Sequence, residues 1–97
     1  MYMLHIITKS PVNFDIQSLF LTINSSDDVL TIQDGVLLSL NNNVYLKQIV
    51  KYSVNLYVLY EDISARGLIK QLSNLFIIVR YSEFIELTVK HTKQITW

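Results

Sequence analysis

Three carboxylates stand where general acid–base work or a magnesium ion would need them. Asp34, Glu61 and Asp62 each follow an apolar run that reads as a strand, and they can converge at one edge of a sheet. Arg66 lies four and five residues beyond the last two and offers a clamp for an anion. The plainer reading is preferred: strand-end carboxylates accept from the free amides of the following helices, and an exposed Arg nearby pairs with them locally. His91 can shuttle protons, but next to Lys90 at the end of a helical run it also complements the negative end of a helix dipole. His5 alternates with strand neighbours and reads as a packed or interfacial side chain. Two histidines and no cysteine exclude a histidine-rich metal centre, thiolate zinc, iron–sulfur clusters, disulfides and a thiol nucleophile. Gly35 and Gly67 stand alone, so no phosphate-binding loop exists, and no serine sits in a G-x-S-x-G elbow. Neither a metal nor an organic cofactor is expected.

Composition limits what can surround these residues. Ninety-seven residues make one compact domain, 1–97, the default. Hydrophobic residues reach 51% and charged residues only 16%, with eight basic side chains against eight acidic ones. No net field draws nucleic acid or an anionic membrane. Mean hydropathy is +0.31, high for a small domain without disulfides: either part of the surface is covered by other chains or the core is large for its size. Six tyrosines and one tryptophan fit either reading, as the large amphipathic rings favoured at interfaces or as ordinary core and rim packing. The longest uncharged stretches, 16–26 and 36–46, fall short of the roughly 20 residues a membrane helix needs. The start, Met1 to His5, lacks the basic region and cleavage site of a signal peptide, so a cytoplasmic location and no membrane contact are the expectations.

The elements follow from periodicity. Residues 3–7, 29–33, 54–60 and 76–79 read as strands, the last two apolar on both faces as buried parallel strands are. Ile16, Leu19, Phe20 and Ile23 keep the spacing of one helix face, with Asn13 or Asp15 as its cap. Asn24 to Asp28 reads as a turn. Val36 to Leu40 predicts a short helix, Leu46, Ile49 and Val50 mark a weaker one, and 63–72 a third with Gly67 awkwardly inside. Ser82 opens a last helix ending at Lys90 and His91, and 94–97 adds a short final strand. Strands alternating with helices predict an α/β domain: a mostly parallel sheet of four to five strands with helices on both faces, in flavodoxin-like layering. Such a sheet binds ligands at its carboxyl edge.

Four segments, 4–11 (LHIITKSP), 32–36 (IQDGV), 56–68 (LYVLYEDISARGL) and 84–91 (FIELTVKH), run in this order to a terminal Trp97. Their order and spacing resemble the DsrH/TusB family of sulfur-relay proteins, on its TusB side. The resemblance implies a DsrE/DsrF/DsrH-like fold and a place beside TusC-like and TusD-like subunits in a heterohexamer, a dimer of heterotrimers. That complex takes persulfide sulfur from a TusE-like carrier and passes it on for 2-thiolation of the wobble uridine of certain tRNAs. Persulfide transfer needs a thiolate to attack and another to leave. With no cysteine, this chain is expected to be a non-catalytic subunit with only indirect contact to tRNA.

Two other readings stay open on residues alone. One is a small stand-alone enzyme working through the carboxylate cluster, and the other a self-associating structural or regulatory module. Under the relay reading, Asp34, Glu61, Asp62, Arg66 and His91 become partner-contact or strand-end loop positions. Residues 44–50, with Tyr45, Leu46 and Ile49, are expected at a subunit boundary.

Overall fold

The structure, a computed structural model, describes residues 2–97; Met1, the first residue of the N-terminal stretch read above, lies outside it. Five parallel strands form one sheet in the order β4-β3-β2-β1-β5: β1 (Leu4–Ile7), β2 (Asp28–Thr31), β3 (Asn55–Leu59), β4 (Ile77–Val79) and β5 (Gln94–Thr96). Four helices join them: α1 (Ile16–Thr22), α2 (Leu46–Ile49), α3 (Tyr60–Ala65) and α4 (Tyr81–Lys90). The α/β layering is the one expected, but the strand order differs from a flavodoxin sheet, in which β1 lies between β2 and β3.

That order decides which face each helix covers. From β1 to β4 the chain steps in one direction, so right-handed crossovers put α1, α2 and α3 on one face; the return to β5 puts α4 on the other. The core divides accordingly. Ile7, Val29, Leu56 and Val58 pack with Leu19, Phe20, Ile49 and Ile63 on the first face. Leu4, Ile6, Leu30 and Val79 meet Phe84 and Leu87 of α4 on the second.

Several boundaries differ from those read in the sequence. Val36 to Leu40 is not an α-helix: a 3-10 turn runs Gln33–Ser39, held against the carboxyl end of β1. Gly35 lies so close to Ile7 that a Cβ there would sit 1.9 Å from its carbonyl oxygen. The helix expected over 63–72 starts earlier and stops at Ala65, because Gly67 takes a left-handed φ of 67°. Leu68 N then donates to Ile63 O, which closes the helix end. Ser82 is not the cap of α4; Arg80 is, and its amide donates to Glu83 Oε1 at 2.9 Å. Asp15 caps α1, accepting from the amides of Gln17 and Ser18. β4 is an edge strand rather than a doubly buried one, leaving Ile77 and Ile78 half exposed.

Leu46 and Ile49 are buried in the chain's own core, and Tyr45 packs against it. The expected boundary therefore cannot run through Leu46 and Ile49, whose apolar spacing in a short helix served the core. Their neighbours Val44 and Val50 are the exposed ones.

Candidate functional site

The carboxyl edge gathers most of the residues singled out by the sequence. β3 and β4 are neighbours whose following helices leave to opposite faces, which makes a crevice where α3 and α4 begin. There the Arg80 guanidinium lies 3.7 Å from the centroid of the Tyr60 ring, a cation–π contact. Glu61 Oε2 accepts from the Tyr81 amide at 3.4 Å, tying the start of α3 to the start of α4.

On the other side of α3, Asp62 Oδ2 accepts from the Gln33 amide at 2.6 Å. Gln33 sits at a φ of 52°, and Asp62 fixes that left-handed turn. Arg66 Nη2 donates to Asp34 Oδ1 at 2.5 Å, with both side chains well exposed. Thus Asp34, Asp62 and Arg66 come together, Glu61 faces the adjoining crevice, and every one of the three carboxylates already has a donor from the same chain. The edge is fastened, but not in the way preferred above: Glu61 and Asp62 accept from amides of other elements rather than of their own helix, and Arg66 pairs with the distant Asp34 rather than with the acids just before it. Among the described residues no group of three or more His, Asp or Glu side chains is arranged to hold a metal ion.

His91 belongs elsewhere. It stands at the opposite, amino edge of the sheet, 94% buried rather than simply facing a helix terminus, with its Nε2 2.7 Å from Asp28 Oδ2. Asp28 also accepts from Asn55 Nδ2 at 2.9 Å, and Lys90 Nζ approaches to 3.8 Å. Next to it, Asp27 accepts from the amides of Met3 and Asn24, each at 3.0 Å, and from His5 Nε2 at 2.9 Å. Trp97 Nε1 donates to the other ring nitrogen of His5 at 3.3 Å. Burial pushes the Asp27 carboxyl up, but the Asn24 and Met3 amides and His5 outweigh it and hold it below the ordinary value of 3.8.

Sequence reasoning missed these acids because Asn24 to Asp28 has turn composition. One signal was available: in a chain so poor in charge, two consecutive acids stand directly before an apolar strand, and the register pairs Asp28 with Leu4.

A cleft of ≈ 200 Å³ opens on the α4 face, lined by Tyr57, Val79, Glu83, Glu86, Leu87 and Lys90. Burial, then the charge of Asp28, raises the Tyr57 phenol above its usual value of 10.0. No helix of the described residues is long and apolar enough to cross a membrane.

Comparison with known proteins gives one consistent picture. The family description "DsrH like protein" matches residues 9–94. Protein TusB of Buchnera aphidicola subsp. Acyrthosiphon pisum (strain 5A) is 44% identical over 95 residues, covering 98% of this chain and 100% of the relative. Protein TusB of Escherichia coli (strain K12 / DH10B) is 39% identical over the same shares. Among solved structures, a protein of unknown function from Methanobacterium thermoautotrophicum superposes with a TM-score of 0.71. Each chain is covered in full, but at 12% identity that likeness is one of fold alone.

Proposed function

The chain belongs to the DsrH-like protein family, and from that premise we propose that it is a non-catalytic subunit of a sulfur-relay complex for tRNA 2-thiolation. In this reading it assembles with TusC-like and TusD-like subunits into a dimer of heterotrimers. The complex receives persulfide sulfur from a TusE-like carrier, and the sulfur ends in the 2-thiouridine at the wobble position of certain tRNAs. The observation that carries the reading is full-length similarity to proteins named TusB in a chain with no cysteine. Each transfer needs a cysteine thiolate to attack the terminal sulfur while the donor cysteine departs as thiolate. A chain without cysteine contributes only by shaping and covering a partner's site.

The carboxyl edge is compatible with that part. Glu61 and Asp62 hold the Tyr81 and Gln33 amides and Asp34 pairs with Arg66, and the negative charge of the three would oppose a thiolate rather than activate one. The test is co-expression with TusC-like and TusD-like subunits, followed by loading from a persulfide-bearing TusE-like carrier. Assembly with sulfur on a partner and none on this chain supports the reading; a chain that stays apart from both subunits overturns it.

A further inference from the structure

We infer that the cleft between α4 and the β3–β4 half of the sheet is the docking groove for an amphipathic helix of a partner subunit, which lays apolar side chains on Ile77 and presents Lys or Arg to Glu83 and Glu86. The inference rests on the relay reading above, whose partners it describes further.

The first argument is the layer itself. Five strands about 4.8 Å apart span roughly 19 Å, whereas one helix covers roughly 10 Å. The first face carries α1, α2, α3 and a 3-10 turn, while the second carries α4 alone. Phe84 and Leu87 seat α4 over Leu4, Ile6, Leu30 and Val79, and Ile77, at the start of the edge strand β4, is left outside its cover. The register shows the consequence: Tyr57 and Ile77 are paired neighbours, Val79 follows Ile77 on the same face, and Ile77 is 55% exposed. Because β4 is the edge strand, the groove is open along its outer side.

Charge then names the occupant. Glu83, Glu86 and Lys90 recur at helical spacing along the flank of α4 that lines the groove. Lys90 turns towards Asp28, and among the described residues no cation pairs with Glu86. An acidic flank above an apolar floor suits a helix with an apolar stripe and a basic shoulder, and it repels anionic lipid and nucleic acid. A second copy offers no such helix. α1 and α3 contain no Lys or Arg, α2 is a single turn, and the only cation within α4 is Lys90.

The test uses the full chain co-expressed with TusC-like and TusD-like subunits, comparing wild type with Ile77→Lys, Glu86→Lys and, on the far face, Leu21→Lys. Both groove variants alter exposed side chains and should keep the wild-type circular dichroism and melting temperature. Each should weaken assembly about tenfold or more, with Leu21→Lys within about twofold of wild type. Hydrogen exchange should slow in 77–90 on complex formation. Normal assembly by both groove variants, or protection confined to other segments, overturns the inference and leaves the relay reading standing. A lone-chain dimer that Ile77→Lys dissociates overturns it in favour of a second copy. If wild type ignores both subunits, this inference and the relay reading fall together.

Discussion

Asp27 and Asp28 are neighbours in sequence that point to opposite faces of the sheet, and each meets a histidine from a distant part of the chain. His5 comes from the first strand and His91 from the end of the last helix, so two side-chain pairs fasten β1, β2 and α4 at one edge. Because the folded Asp27 carboxyl is held below 3.8, its contribution is present above the unfolded pKa and is lost as pH falls through the folded value. Unfolding free energy should therefore decline as acid is added below about pH 4. Asp27→Asn should flatten that decline and cost about 1–3 kcal/mol near neutrality, measured by urea titration from pH 3 to 7. Gly35→Ala should cost about 1–3 kcal/mol, or prevent folding, since the new methyl meets the Ile7 carbonyl. The residue scale was the least legible in sequence. Asp34 and Asp62 were found because they follow apolar runs and Arg66 by its spacing from the acids before it, but the buried acids were hidden in a segment whose composition says turn.

Elements were read more reliably than their ends. Strand positions followed from short β-branched runs, and the face of the first helix from Ile16, Leu19, Phe20 and Ile23. Ends depended on single contacts that no periodicity reports: the left-handed Gly67, the Gln33 turn tied to Asp62, and the Arg80 amide held by Glu83. Ser82→Ala should accordingly leave the melting temperature close to wild type, whereas loss of a true cap hydroxyl would lower it. Ile49→Ala should cost about 2–5 kcal/mol in chemical denaturation, as expected of a fully buried aliphatic. Val44→Lys, at a site 77% exposed, should change stability by less than about 0.5 kcal/mol. That contrast separates the core role of residues 46 and 49 from any surface role of their neighbours.

At the scale of the whole molecule, an oily composition with zero net charge ends as a sheet covered unequally on its two faces. One face closes a core around fourteen buried hydrophobic residues, while the other gathers four beneath α4. The sequence signalled the apolar excess but not its location, because strand order determines which face is left short of helices. The absence of cysteine, by contrast, was legible at once and carries the functional reading. The most direct test is native mass spectrometry of this chain with TusC-like and TusD-like subunits after exposure to a persulfide-loaded TusE-like carrier. The relay reading predicts a hetero-complex in which this chain keeps its unmodified mass while a cysteine-bearing partner gains a sulfur atom. A chain that stays outside the complex, or that itself gains the sulfur, would contradict it.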